Sequence, residues 1–253
     1  MMLHLDRFLA LAAVSLLVFT SACSEDDPVQ VADPIEYRSE SMAFGGGTMH
    51  AWERADADGN LLAVGVTFDE AVLDELPQDM AAVHIDFPGD VAVSPFTMMG
   101  FDWNPAGHEP GPIYGLPHFD VHFYVVSEQD LAAVTPGPDM TPVPAPFVPQ
   151  DYVSGVDAVP NMGTHWIDTT ASEFHGSTFD KTFIYGFYDG NLFFMEPMIT
   201  LAYLETKPDV TIDIKQPQQF PMPGKMFPAQ YRISHDAVAG TYTVELTGMK
   251  LQQ

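Results

Sequence analysis

Basic residues are scarce in this chain of 253 residues. It has 9 Lys and Arg against 35 Asp and Glu, which gives a formal net charge of −26. No Lys or Arg lies between Arg54 and Lys181. Nucleic-acid binding depends on neutralising phosphates with basic side chains, so no nucleic-acid partner is expected. Anionic substrates would likewise find few anchoring groups.

Cysteine is nearly absent as well, because Cys23 is the one cysteine of the chain. The residues that follow it have no thiol, which excludes disulfides among them, thiolate catalysis, Cys-ligated zinc and iron–sulfur clusters. Any metal ion must therefore be bound by His, Asp and Glu. The sequence also lacks a Walker loop, a GxGxxG motif after a strand and a GxSxG elbow, so no nucleotide cofactor is indicated.

Long hydrophobic runs are missing after residue 22, where no stretch approaches the ~18 apolar residues of a membrane-spanning helix. Before that point, the apolar run Phe8–Phe19 leads through small residues to Cys23. This pattern predicts an export signal. With a cysteine at the cleavage point it resembles a bacterial lipoprotein signal, although Thr20 stands where that pattern usually has Leu. Ordinary secretory cleavage near Ala22 is the alternative.

The predicted organisation has three parts. Residues 1–22 are a signal peptide, and residues 23–35 are a lipidated Cys23 followed by an acidic, Pro-containing, flexible tether. Residues 36–253 are a single β-rich domain. The protein is then anchored by lipid to a bacterial membrane, which is its first expected partner. It faces the periplasm or the extracellular side.

The fold is expected to be mainly β (α+β), a single antiparallel β-rich domain with two or three short helices. Its segments are short, rich in β-branched and aromatic residues, and bounded by Gly, Pro, Asp or Asn. The DG pairs at Asp58 and Asp189 predict tight hairpin turns. Strands are predicted at Met49–Arg54, Leu61–Thr67, Val83–Phe87, His118–Val126, Phe183–Phe187, Leu192–Met195, Val210–Ile214, Ala229–Ser234 and Thr241–Gly248.

Three short helices are predicted from their start signals. The box TFDE that begins at Thr67 predicts a helix over AVLDEL, which ends at Pro77. Ser127 is placed to cap EQDLAAV. The EP pair at Glu196 is placed to open a helix over MITLAYLETK, although the same apolar residues also fit a buried strand. The Pro-rich stretches 135–149 and 216–228 are expected to be extended and irregular.

The segment PHFDVHFYVV carries the main chemical signal. After Pro117, alternation along a strand puts His118, Asp120 and His122 on one face and apolar residues on the other. Positions four apart on a strand lie ~13 Å from one another, too far for both His to bind one ion. One His with Asp120 could chelate an ion, or a bulge at Asp120 could bring both His inward.

Further His and carboxylate groups lie nearby in sequence without basic residues to pair with them. Clustered carboxylates of this kind need an ion or protons, which favours a divalent cation such as Zn, Mn or Fe. The alternative is a structural polar pocket, because a lone His is more often hydrogen-bonded than a ligand. Catalytic residues are not identified. The predicted metal ligands are His108, Glu109, His118, Asp120, His122, His165 and Glu196.

Four segments together resemble a bacterial family of poorly characterised exported proteins, typified by a sigma-E-controlled, ring-shaped homo-oligomer from Thermus. They are GGGTMHAWERADADGNLLAVGVTFDEAVLDELP, DWNPAGHEPGPIYGLPHFDVHFYVV, MGTHWID and YGFYDGNLFFMEPMIT. The likeness runs from about Gly45 to Leu204, and GHEP, PHFDVHFY and EPMIT are its most specific parts. The resemblance implies largely β protomers, export and homo-oligomerisation, but no assigned activity.

Two functional hypotheses follow. In the first, an exported lipoprotein binds a divalent metal or small ligand through the His/Asp/Glu residues. It is an enzyme, either a hydrolase or an oxygen-using enzyme, only if a coordination position is left open. In the second, the chain is a non-enzymatic envelope-stress or oligomeric binding protein, and the same residues build a structural pocket.

Overall fold

The computed structural model describes residues 32–155 and 157–252. The predicted signal peptide, Cys23 and most of the tether lie outside these residues, and the first strand begins at Ile35, the last residue of the predicted tether. The strands are β1 (Ile35–Arg38), β2 (Met42–Phe44), β3 (Gly47–Ala55), β4 (Leu61–Asp69), β5 (Ala81–Asp86), β6 (Met98–Asn104), β7 (His118–Tyr124), β8 (Tyr152–Ser154), β9 (Thr164–Asp168), β10 (Lys181–Tyr188), β11 (Asn191–Thr200), β12 (Asp209–Asp213), β13 (Met226–Phe227), β14 (Gln230–Asp236), β15 (Thr241–Thr247) and β16 (Lys250–Leu251). The α-helices are α1 (Gly111–Tyr114), α2 (Glu128–Ala132) and α3 (Leu201–Glu205), and 3-10 turns span Glu70–Leu73, Ala145–Phe147 and Ser172–His175.

Two large antiparallel sheets hold most of these strands. The first sheet has the order β1-β3-β4-β15-β14-β12, with β2 paired to β3, and the second has the order β5-β6-β7-β11-β10-β9-β8. The pair β13-β16 forms a small third sheet. The prediction of an antiparallel, β-rich fold with a few short helices is confirmed.

The two large sheets pack face to face through an aromatic core. The rings of Phe68 in the first sheet and Phe101 in the second lie 5.3 Å apart between centroids. Farther along the interface, the ring centroids of Tyr231 in the first sheet and Phe183 in the second also lie 5.3 Å apart. This apolar layer removes one face of each sheet from water, which is the dominant favourable term in folding.

All nine predicted strand segments coincide with strands apart from one or two end residues in five of them, and both predicted hairpin turns are present. Asp189 and Gly190 join β10 to β11 with φ angles of +49° and +75°. Positive φ at both central residues is the geometry that favours a DG pair in a two-residue hairpin. Local turn chemistry therefore sets the pairing of these two strands.

The helix predictions had mixed outcomes. Ser127 caps α2 in a reciprocal capping box with Asp130, as predicted. The helix expected after Thr67 was wrong, since Thr67 lies in β4 and only a 3-10 turn follows. The helix expected from Glu196 was also wrong at its start, because β11 continues to Thr200 and α3 begins only at Leu201. Burial of nearly the whole of β11 overrides the local start signal.

The outer face of the second sheet is also buried. A second apolar cluster there joins sheet residues such as Tyr124 and Phe194 to Tyr114 of α1 and Leu131 of α2. Part of the Pro-rich stretch adds to this cover, through a bridge between Gly137 and Ala158. In a strand that is buried on both faces, the polar side chains that alternate with apolar ones are also removed from water. The ionisable groups lie on such strands.

None of the helices in the described residues has the length and apolar character that crossing a membrane requires.

Gly186 of β10 makes room for Phe194 of the neighbouring strand. A Cβ at position 186 would lie 2.0 Å from the Phe194 ring, which is fully buried. We expect Gly186→Ala to lower the free energy of unfolding by about 1–3 kcal/mol, the usual cost of overpacking a core. Denaturant unfolding measures this, with Gly111→Ala as control, since its added Cβ would have no neighbour closer than 3.8 Å. Equal stability of the two variants would mean that the ring moves freely.

Candidate metal centre

Ionisable side chains are concentrated on the outer face of the second sheet. Asp102, Asp120, His118, His122 and Glu196 are all buried there, and Glu196 has no exposed surface. Isolated buried charges are very costly unless they are paired or bound to a metal. In the described residues, four of these groups form two clusters together with His108 and His165, and each cluster has two imidazoles and one carboxylate.

The first, called here the His122 cluster, consists of His122 on β7, His165 on β9 and Glu196 on β11. The Nε2 atom of His122 lies 3.6 Å from Oε1 of Glu196, and Nε2 of His165 lies 3.6 Å from Oε2. Neither carboxylate oxygen has a hydrogen-bond partner among the described residues. The distances exceed those of hydrogen bonds but approach the ~3.3 Å that separates two ligands of a tetrahedral ion with bonds of ~2.0–2.1 Å.

Neighbouring side chains hold this cluster in position. The Phe194 ring lies 4.8 Å from the His122 ring and 5.0 Å from the His165 ring, and Tyr124 stacks on His122 at 5.4 Å. Behind His122, its Nδ1 atom faces Oδ2 of Asp102 at 3.5 Å. A carboxylate behind the outer nitrogen of a ligating His is a common way to orient the ring.

The second, called here the His118 cluster, consists of His108, His118 and Asp120. The Nε2 atom of His118 lies 3.0 Å from Oδ1 of Asp120, and Nε2 of His108 lies 3.3 Å from Oδ2. Asn104 on β6 donates a hydrogen bond of 2.8 Å to Oδ2 of Asp120. His108 comes from the loop before α1, whereas the other two lie on β7.

The seven predicted ligands therefore do not surround one point. Six of them form the two clusters, and His118 lies apart from His165 and Glu196. The register between β6 and β7 runs without a bulge at Asp120, so the regular rise along the strand keeps His118 and His122, which share a face, in different clusters. Glu109 belongs to neither cluster: its carboxylate accepts a hydrogen bond from the backbone N–H of Gly111.

Three other ionisable residues near His165 in sequence lie outside the centre. Asp168 is 2.8 Å from the ammonium group of Lys215, and His175 is exposed with its Nε2 near the Thr169 carbonyl. Glu173 is buried but lies outside both clusters. Asp168 and His175 have local partners, Glu173 is buried at a separate place, and none of the three takes part in the centre.

Sequence reasoning missed Asp102 and Asn104, because β6 was not predicted as a strand. The signal was present in MMGFDWN, where Gly100, Asp102 and Asn104 alternate with Met99, Phe101 and Trp103. A glycine and two polar residues hid the alternation from a search for β-branched runs. Both faces of this strand are buried, and its polar face lies opposite β7.

Burial dominates the protonation of the His122 cluster. It lowers the pKa of His122 to about 3 and that of His165 to about 4. Burial, with the charges of Asp120 and Asp102, raises the pKa of Glu196 well above its usual value. In the metal-free protein at neutral pH, both imidazoles are thus neutral, and burial disfavours the ionised form of Glu196.

Asp120 behaves in the opposite way. Burial works against its ionisation, but the adjoining imidazoles of His108 and His118 outweigh burial and hold the pKa of Asp120 below its usual value. Burial and then the charge of Asp120 raise the pKa of the neighbouring Asp102 to about 8. Two carboxyl groups on facing strands are thereby driven to different protonation states.

Both clusters border a single cavity of about 830 Å³. His108 and Asp120 line it from one cluster and His165 from the other, with Asp102 also at its surface. None of the described lining residues is Lys or Arg. The apolar part of the lining includes Met80, Tyr114, Ala158, Val159, Met162 and Ile184.

The raised pKa of Asp102 predicts a pH dependence of stability in the metal-free protein. An ordinary Asp has a pKa of 3.8, so above pH 3.8 this carboxyl group is ionised in the unfolded chain. In the folded chain, it retains its proton up to about pH 8. The free energy of unfolding should therefore fall as the pH rises from 6.5 to 8, and Asp102 should account for roughly 1–2 kcal/mol of that fall. The lowered pKa values of His122 and His165 act only below pH 6.5.

Denaturant unfolding of chelator-treated protein at pH 6.5 and pH 8 measures this effect. Asp102→Asn should reduce the fall, while Asp86→Asn, an exposed change on the adjacent strand β5, should leave it unchanged. The part that remains in Asp102→Asn belongs to other groups whose pKa is raised in the folded protein, among them Glu196 and His108. Parallel pH profiles for wild type and Asp102→Asn would contradict the assignment.

Comparison with known proteins finds one segment that is similar to a known family. Residues 56–103 match the model of the TTHB210-like family, described as hypothetical protein TTHB210. The match spans β4, β5 and most of β6, including Asp102, but contains no residue of the two clusters. No curated protein and no solved structure matches the chain. The predicted resemblance is confirmed over this segment, so the chain is similar to the TTHB210-like family through β4 to β6.

Proposed function

We propose that this protein is an exported, lipid-anchored metalloprotein that binds a divalent ion through His122, His165 and Glu196. The observation that carries the metal site is the Glu196 carboxylate. It is fully buried, has no hydrogen bond among the described residues, and lies between two imidazole nitrogens at 3.6 Å. A cation there would satisfy all three groups at once.

The donor set limits the choice of ion. Two imidazoles and one carboxylate, with no sulfur, suit Zn, Mn or Fe. Three protein ligands also leave coordination positions for water or another molecule, as in catalytic zinc sites and non-haem iron sites. An ion held there can polarise a bound oxygen atom or lower the pKa of a bound water. What the chain itself adds is the aromatic wall that Phe194 and Tyr124 form beside the ligands.

The cavity indicates what kind of molecule reaches the centre. Its lining is largely apolar, its polar side chains carry carboxyl, imidazole, amide and phenol groups, and its described residues include no Lys or Arg. An anionic molecule would therefore meet carboxylates without a compensating base, apart from the ion itself. We infer that the small ligand is uncharged and mostly apolar, with one oxygen or nitrogen atom able to reach the ion.

The metal content of the purified protein tests this function. The chain should be expressed with its own signal sequence, purified without a His-tag and analysed by inductively coupled plasma mass spectrometry. We expect a transition metal in the wild type, and its loss from this site in Glu196→Gln and His165→Ala. His175→Ala, an exposed histidine outside both clusters, is the control and should retain the full metal content.

Glu196→Gln is the sharper variant because it keeps the size of the side chain and removes a buried acid. It should fold at least as stably as the wild type without metal, as circular dichroism and denaturant unfolding can check. Folded proteins without metal, wild type included, would refute the proposal. The two clusters would then be a structural pocket in a non-enzymatic binding or envelope-stress protein.

The export and anchoring part rests on the sequence pattern of residues 1–23. Cys23→Ser should move the protein from the membrane fraction to the soluble exported fraction, because no lipid can be attached to the new residue. Ser24→Ala, the adjacent substitution, should leave the protein in the membrane fraction. Cell fractionation with immunoblotting measures both. Equal distribution of the two variants would favour ordinary secretory cleavage. Homo-oligomerisation stays a prediction of the family resemblance.

A further inference from the structure

The outer nitrogens of both imidazoles in the His118 cluster are tied to backbone carbonyls. The Nδ1 atom of His118 lies 2.7 Å from the carbonyl oxygen of Leu116, and Nδ1 of His108 lies 2.8 Å from that of Glu109. A carbonyl oxygen can only accept a hydrogen bond, so each Nδ1 carries a proton. In a neutral imidazole, the other nitrogen, Nε2, then has a free lone pair.

Both of these Nε2 atoms lie beside the same carboxylate. Nε2 of His118 and Nε2 of His108 lie 3.0 and 3.3 Å from the two oxygens of Asp120. In the described structure, His118 Nε2 and Asp120 Oδ1 are buried without a hydrogen-bond partner. Two lone pairs and a carboxylate at this distance repel one another unless a positive charge lies among them, supplied by protons on the Nε2 atoms in the metal-free protein or by an ion in their place. A ligating His that donates its outer N–H to a backbone carbonyl is the usual arrangement at a metal ion.

We propose that His108, His118 and Asp120 bind a second divalent ion, separate from the ion of the His122 cluster. The two sites share no ligand. Asp120 and His122 are two residues apart on β7, which corresponds to about 6.6 Å along a strand. Between the two sites, Asp102 lies opposite Asp120 in register and faces His122 Nδ1 at 3.5 Å.

The charge of the whole centre permits a second ion. Asp102, Asp120 and Glu196 would carry three negative charges when ionised, in a region with no Lys or Arg among its described cavity-lining residues. One divalent ion would leave one negative charge and two would leave one positive charge, so the second ion is inferred from the geometry of the two imidazoles. Asn104 already holds Asp120 in place by a hydrogen bond, so the second site needs no rearrangement of the strand.

The two sites differ in access. His122 and Glu196 are fully buried on strands of one sheet. His108 lies on a loop with 35% of its side chain exposed, and both His108 and Asp120 line the cavity. The second ion therefore faces the cavity directly and exchanges more readily than the first.

The number of zinc ions bound by each variant tests this inference. The full-length protein is stripped with chelator and titrated with Zn²⁺ by calorimetry, and bound zinc is counted by mass spectrometry. We expect two equivalents in the wild type, one in His108→Ala, one in Glu196→Gln and none in the double variant. His108→Ala is chosen because a half-exposed loop residue can be removed without unfolding the sheet. His175→Ala is the control and should keep two equivalents.

Other outcomes separate the two proposals. One equivalent in the wild type, retained by His108→Ala and lost in Glu196→Gln, would overturn the second site and leave the proposed function intact. One equivalent lost in either variant would also overturn it, because both clusters would then serve a single ion. Two equivalents of zinc bound by His108→Ala would show that His108 is not a ligand. No zinc in any folded variant would overturn both proposals.

Discussion

The burial of three carboxyl groups away from any basic side chain is the constraint on which the rest of this structure depends. Asp102, Asp120 and Glu196 lie on three neighbouring strands under an apolar cover. They are almost removed from bulk solvent, and their neighbours are imidazoles and, for Asp120, the side-chain amide of Asn104. Protons or cations must supply the missing positive charge. The imidazole nitrogens beside each carboxylate favour bound cations, because they can act as further ligands.

The fold provides this environment by burying the second sheet on both faces. Along β7, alternating side chains enter either the aromatic core between the sheets or the polar centre on the outer face. Phe119, Val121 and Phe123 anchor the strand from one side, while the ligands occupy the other. Because the ligands of the His122 cluster stand on three strands of one sheet, their spacing is set by strand register. Gly186 lets Phe194 complete the wall around them.

The chemistry of the centre agrees with the expected location of the protein. A chain without thiols after Cys23 can keep a metal site of nitrogen and oxygen donors in an oxidising compartment, where thiolate ligands would be exposed to oxidation. The strongly acidic chain also draws cations toward its surface and keeps anions away. Location, charge and donor type thus favour the same class of ligand, a divalent cation with an uncharged molecule beside it.

Much of the fold could be predicted from local sequence. The alternation in HFDVHFY determined that His118, Asp120 and His122 share one face of a strand, the two DG pairs determined their hairpins, and Ser127 determined its helix cap. These features depend only on residues within a few positions of one another, where backbone geometry is periodic.

Only the tertiary structure decided how the ligands divide into clusters. His165 meets Glu196 across β10, and His108 reaches Asp120 from a loop, because pairing between distant strands is not encoded in the spacing of residues along the chain. The same cause hid Asp102, whose strand lacks the usual composition and is stabilised by its two neighbours. Near Thr67, the chain forms a strand paired with β3 and β15 in spite of its helix-start signal. Burial in the sheet stabilises this segment more than a helix cap would.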